Sequence, residues 1–114
     1  MSKFTRLLGL PTINMKTILY NNQVAGTVSK FEIDGRAEIT YAINKSLWGK
    51  GITTAALQAF LPLEPMRPIF GRTAFDNYGS VRVLEKCGFQ KTGTDKGFAN
   101  ARGKEIEEFI FRLV

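Results

Sequence analysis

The sequence predicts an α+β fold (mixed α/β) on a mostly antiparallel central sheet, and three observations carry that expectation. Three apolar, β-branched runs between Thr17 and Ile43 are separated by Asn21-Asn22 and Asp34-Gly35, dipeptides that accept the positive φ of a tight hairpin turn. The apolar period then changes from two to helical in two stretches that flank a short strand run. Two further strand runs close the chain. The expected order is β-β-β-α-β-α-β-β in a single domain spanning residues 1–114, irregular over 1–16 and with its core over 17–113.

Each element has its own justification. Ile18, Leu19 and Tyr20 end the first strand, and residues 24–33 form the second. In the third, Ala37, Ile39, Tyr41 and Ile43 alternate with Arg36, Glu38, Thr40 and Ala42, so one face is core and Glu38 looks out of the other. Between Gly51 and Leu61, Ile52, Ala55, Ala56, Ala59 and Phe60 make one helical stripe, and Pro62 stops it. Pro62, Pro65 and Pro68 make a connector that is neither helix nor central strand, and residues 69–75 form a strand. Asp76 or Asn77 caps a second helix whose Ser80, Val83, Leu84 and Cys87 share a face, and Gly88 supplies a left-handed C-terminal cap. Residues 89–94 and 105–113 are strands joined by a loop over 95–104.

Composition narrows the chemistry. The chain has 114 residues, no histidine and one cysteine, which removes Ser-His-Asp and Cys-His pairs, zinc fingers and internal disulfides. Neither a signal peptide nor a membrane span is expected, so a cytoplasmic place is the default. A net charge of +6 favours an anionic partner. Nucleic acid is a distant reading, because no basic helix run or basic-aromatic cluster accompanies the charge.

The chemistry concentrates in Trp48-Gly49-Lys50-Gly51-Ile52-Thr53, between a strand and the first turn of a helix. Glycines there expose backbone amides, and a helix start adds unpaired N–H groups, so the geometry suits a phosphate. It is neither a dinucleotide fingerprint nor a P-loop, and a plain strand-to-helix turn is the competing reading. A second stretch, Asn77 to Phe89, reads Asn-x-x-Ser-x-x-x-Leu-Glu-Lys-x-Gly-Phe.

Together the two stretches resemble the GNAT acetyltransferase superfamily, and within it the branch that acetylates ribosomal-protein N-termini. The resemblance covers about residues 17–113 and implies acetyl-CoA as cofactor and an amine as acceptor, either a protein N-terminus or a small molecule. The family's pyrophosphate signature falls on Trp48, Gly49, Lys50, Gly51, Ile52 and Thr53, with Trp48 and Thr53 departing from the usual residues. The strand before it is expected to splay and pair with the pantetheine arm, which places Tyr41, Ala42 and Ile43 beside the cofactor and makes an amide near Ile43 the oxyanion donor. Asn77 and Ser80 match coenzyme A contacts, although helix capping accounts for both equally well. Lys50, Arg82 and Lys86 either neutralise phosphates or form a solvated face. Cys87 is read as a small packed hydrophobe.

For the base, Glu38 is the first choice, by its outward position and by analogy with related enzymes; an exposed carboxylate on a polar sheet face is the alternative. The tyrosine that protonates the thiolate in many members is Leu84 here, so a water, Tyr41 or Tyr78 must serve. The segment before Met15 is too short for the strand and helices with which the family begins, so that part is expected to be missing or reduced. This leaves open a trimmed chain, a short homologue or a protomer completed by a partner, and a bare sheet edge would favour a homodimer. The function expected is direct acetyl transfer to a primary amine, and the alternative is a non-catalytic, cofactor-binding or regulatory module.

Overall fold

The computed structural model describes residues 5–8, 15–99 and 103–114. It contains a seven-stranded sheet formed by β1 (Thr5–Leu8), β2 (Met15–Tyr20), β3 (Gln23–Ile33), β4 (Arg36–Ile43), β5 (Ile69–Ala74), β6 (Gln90–Ala99) and β7 (Lys104–Leu113), with helices α1 (Ile52–Phe60) and α2 (Tyr78–Lys86). The spatial order is β1-β2-β3-β4-β5-β7-β6, antiparallel throughout except between β4 and β5.

The turn chemistry acts as the sequence requires. Asn21 and Asn22 have φ of 53° and 63°, Asp34 and Gly35 have 51° and 78°, and each pair closes a two-residue hairpin. Asn77 Oδ1 accepts the Ser80 amide at 3.1 Å as the N-cap of α2, and Gly88 follows its end at φ 90°.

Two expectations are corrected. Residues 1–16 are not irregular throughout: Thr5–Leu8 is a strand paired with β2, and β2 begins at Met15. Residues 1–4 and 9–14 lie outside the described set, and among the described residues no helix precedes β2. A four-residue strand has no readable period, and its support comes from pairing with β2 and contact with α1. β1 covers the outer side of β2 and is itself the edge strand there. The loop expected over 95–104 is mostly strand, because β6 runs on to Ala99 and pairs with β7 as far as Lys104.

The core lies on one face of the sheet. Ile18, Val28, Ala37, Ile39, Ile69 and Phe111 join Ile52, Ala56, Leu57 and Phe60 of α1 and Leu84 of α2 in one buried cluster. Leu57 belongs to it more fully than Ala55 or Ala59, which are half-buried, so the apolar stripe of α1 is rotated from the expected one. Each large side chain buried here contributes about 1.5–3 kcal/mol. Below α1, Lys30 Nζ lies 3.6 Å from Glu64 Oε1 with both side chains nearly buried, and Arg67 donates to the carbonyls of Glu64 and Leu61. These bonds fix the proline connector and hence where β5 begins. No helix among the described residues is long and apolar enough to cross a membrane.

A close approach sets the geometry of β4. Gly26 on β3 stands opposite Ile43, and a Cβ there would run into the Ala42 carbonyl oxygen and come within 2.8 Å of Ile43 Cα. Main chain cannot yield as a side chain can, so Gly26→Ala is expected to destabilise the fold by about 1–3 kcal/mol. Urea denaturation measures this, and an unchanged midpoint would show that β3 and β4 are not held so closely.

Candidate functional site

β4 and β5 pair at only two positions, Ala37 with Ile69 and Glu38 with Phe70. Beyond them the strands part while each keeps its other neighbour, β3 for β4 and β7 for β5 as far as Ala74 with Glu108. The gap is a cleft of about 660 Å³ bounded by β4, β5, the start of α1 and one side of α2.

The β4 wall presents main chain. The Asn44 N–H donates to Ala25 of β3 at 2.8 Å, so by strand alternation the amides of Ile43 and Tyr41 point the other way, into the cleft. The Trp48 indole Nε1 donates to the Ile43 carbonyl at 3.2 Å and ties the loop back to the strand end. Gly49 and Gly51 then take φ of 81° and 74°, and a Cβ on either would meet nothing within 4 Å. Gly51 begins α1 without a side-chain cap or an acidic residue in the first turn, and the Ala55 N–H to Gly51 carbonyl bond opens the helix. The amides of Ile52, Thr53 and Thr54 therefore have no helical partner, and the positive end of the helix dipole faces the cleft.

The α2 wall presents side chains. Tyr41 Oη and Ser80 Oγ are 2.7 Å apart across the cleft. Burial raises the Tyr41 pKa above its ordinary value, so the phenol stays protonated and available as a donor. Arg82 and Lys86 also line the space, as do Asn77 and Thr73. The Thr73 hydroxyl is buried and finds no hydrogen-bond partner within the protein.

Most of the expected cofactor residues meet here: Tyr41, Ala42, Ile43, Trp48, Gly49, Gly51, Ile52, Thr53, Asn77, Ser80 and Lys86 all line the cleft. Lys50 and Glu38 do not. Glu38 is on the face opposite Ile39 and Tyr41, as alternation requires, yet it is only 5% exposed, which removes the exposed-carboxylate alternative. Arg72 covers it, with Nε 3.2 Å from Glu38 Oε1. Arg72 also reaches Asp95 at 3.1 Å and Glu108 at 3.8 Å. Burial opposes its charge, but the Asp95 bond and the surrounding carboxylates outweigh burial and raise its pKa. The Asp95 carboxyl is lowered, first by the Lys96 amide and then by Arg72. Sequence reasoning missed Arg72, Thr73 and Glu108, which belong to no motif; the alternation of β5 was the one available signal.

Known proteins resemble this chain in sequence and in fold. Residues 10–90 match the sequence profile of the acetyltransferase (GNAT) domain. An uncharacterised N-acetyltransferase, p20, of Bacillus licheniformis is 33% identical over 101 residues, covering 82% of this chain and 56% of its own. The self-immunity acetyltransferase MccE, solved with acetyl-CoA and AMP, superposes with a TM-score of 0.74 at 25% identity over 88% of this chain and 59% of its own. The ribosomal-protein-S5-alanine acetyltransferase of Vibrio fischeri gives 0.77 at 21% identity over 88% of this chain and 60% of its own, a likeness of fold. The chain thus spans about three fifths of the length of these relatives.

Cys87 provides a test of the local environment. Its Sγ donates toward the Thr54 carbonyl at 3.8 Å, and burial pushes the thiol up to about 11. At pH 8 the thiolate is then about one part in a thousand. Iodoacetamide is expected to label the folded protein far more slowly than the unfolded one, with a rate rising about tenfold per pH unit between pH 7 and 10. Rapid labelling at neutral pH would show that the α1–α2 contact is open.

Proposed function

The chain belongs to the GNAT acetyltransferase family, and from that premise we propose that it binds acetyl-CoA in the β4–β5 cleft and transfers the acetyl group to a primary amine. The observation that carries the proposal is the coincidence of the parted strands with an uncapped helix start and two glycines whose missing side chains leave open space.

The residues present fit this cosubstrate. The amides of Ile52, Thr53 and Thr54 suit its pyrophosphate, with Arg82 and Lys86 supplying positive charge. The inner edge of β4 offers unpaired N–H and C=O groups to an extended arm. When bound, acetyl-CoA supplies a thioester carbonyl that an amine can attack, forming a C–N bond as the C–S bond breaks. The chain holds the two reactants together, which is the largest contribution available. The Ile43 amide, on the cleft side, donates to the carbonyl oxygen as negative charge develops. The departing sulfur takes one proton, and the amine loses one.

Leu84 cannot give the sulfur its proton; it is fully buried against Gly71 and Ile39. The Tyr41–Ser80 pair is in the cleft and protonated, so one hydroxyl donates while the other orients it. On the acceptor side, Glu38 acts through Arg72, which it holds. The resemblance to the branch that acetylates ribosomal-protein N-termini makes a protein N-terminus the first acceptor to test.

Trp48 is the chain's one tryptophan and lines the cleft, so its fluorescence reports binding. Acetyl-CoA is expected to bind with micromolar affinity, about tenfold or more tighter than an analogue lacking the pyrophosphate, and Gly51→Ala is expected to weaken it by about tenfold or more. Absence of binding would overturn the proposal. Binding without amine-dependent thiol release would favour the cofactor-binding module.

Tyr41→Phe is expected to lower kcat by more than about tenfold with little change in acetyl-CoA affinity. Because the Tyr41 pKa is raised from 10.0, the wild-type rate is expected to show no alkaline fall below that pH. A Tyr41→Phe variant with full turnover would remove this pair as the proton source.

A further inference from the structure

Thr73 stands apart from the other polar side chains of the cleft. Among the described residues, its Oγ1 is the one buried side-chain nitrogen or oxygen without a hydrogen-bond partner, and the residue is only 6% exposed. A valine would suit a strand as well and fill the same space, so the buried hydroxyl costs stability without serving the fold. It lines the cleft, and whatever enters there is its available partner.

The strand register shows what it faces. β4 and β5 pair last at Glu38 and Phe70, and three residues beyond that pair stand Tyr41 on one strand and Thr73 on the other. Alternation puts both on the helix side, one step past Ile39 and Gly71, where a Cβ on Gly71 would come 3.2 Å from Ile39 Cγ2. Tyr41 Oη is bonded to Ser80 Oγ at 2.7 Å, and the Thr73 hydroxyl bonds neither of them. The main chain of Thr73 is held by β7, opposite Phe109. Hydroxyls in fixed positions therefore border the cleft from both strands, close to the point where it narrows.

An arm whose pyrophosphate sits at the start of α1 runs from there toward the closed end of the cleft, which brings its thioester to the level of Tyr41 and Thr73. Its amides have the β4 edge to bond, and its carbonyl oxygen has the Ile43 amide. The sulfur is the acceptor that remains. Resting on the transferase reading above, we infer that the Thr73 hydroxyl donates its unused hydrogen bond to the sulfur of the bound cosubstrate and stabilises the negative charge that develops there. In the reaction the amine nitrogen bonds the acetyl carbon, and the C–S bond breaks with its electron pair going to sulfur. Thr73 holds that charge and keeps its own proton, while the Tyr41–Ser80 pair supplies the proton that makes the thiol. The proton lost by the amine passes to solvent, which restores the pair. A hydrogen bond to an ionised acceptor is stronger than one to a neutral acceptor, so Thr73 acts more on the departing thiolate than on the bound thioester.

Coenzyme A and desulfo-coenzyme A differ at this sulfur alone, and Trp48 fluorescence reports the binding of each. At about pH 9 a free thiol is substantially ionised, while burial keeps Tyr41 and Cys87 protonated. There the wild type is expected to bind coenzyme A about tenfold or more tighter than the desulfo analogue. Thr73→Val is expected to cut that ratio by about fivefold or more with the affinity for the analogue unchanged, and Thr73→Ser is expected to restore it. The urea midpoint of free Thr73→Val is expected to equal or exceed that of the wild type, because no bond within the protein is lost. Equal binding of the two ligands by the wild type, an unchanged ratio in Thr73→Val, no restoration in Thr73→Ser, or a lowered midpoint overturns the inference while coenzyme A binding stands. Failure of the wild type to bind either ligand overturns the transferase reading and the inference with it.

Discussion

Everything at the site depends on the ladder between β4 and β5 ending after two residue pairs. A strand interior to a sheet normally satisfies both edges, and unpaired amides in a closed interior are costly. Here each strand keeps its outer partner, and the inner edges open onto the cleft. What holds them apart is identifiable. The Lys30–Glu64 pair and the Arg67 bonds anchor the proline connector, α1 fills the helical face beside the gap, and Gly26 lets β3 follow β4 to its end. Edge groups left in this state are satisfied by water or by an extended ligand, so the unpaired backbone is itself a binding surface.

The helices divide the labour of the two faces. Both pack on the side of Ile39 and Phe111, so the buried cluster, the uncapped start of α1 and the Tyr41–Ser80 pair all belong to that side. Leu84 shows what this arrangement requires. It packs into space that exists because residue 71 is glycine; a Cβ there would lie 2.8 Å from a Leu84 methyl. A hydroxyl at position 84 would enter the core rather than the cleft as the chain now packs, and the polar function passes to Tyr41, one strand away.

The local signals were readable in the sequence where the physics is local. Positive-φ turns at Asn21-Asn22 and Asp34-Gly35, the Asn77 cap and the Gly49/Gly51 loop depend on residues within a few positions of each other, and all lie where their chemistry requires. What was not readable depends on pairing across the chain. β1 has only four residues and is held by β2 and α1, and the strand character of residues 95–99 comes from β7. The same holds at the site. Alternation placed Glu38 on its proper face, but its burial comes from Arg72, thirty-four residues away, and Glu108 reaches the cleft only because β7 inserts between β5 and β6.

The distribution of charge is more informative than its sum. The chain carries a net +6, yet the cleft is not uniformly basic. Arg82, Lys86 and the start of α1 line one part of the cleft, while on the open face Arg72 is ringed by Glu38, Asp95 and Glu108, with Arg36 stacked on Phe70 nearby. Cations without nearby carboxylates at one end, and mixed charges at the other, orient what enters the groove by drawing phosphates to the helix. A groove divided in this way fits two substrates meeting in the middle, beside the Ile43 amide and the Tyr41–Ser80 pair. A uniformly basic groove would draw phosphates along its whole length and hold an approaching ammonium away.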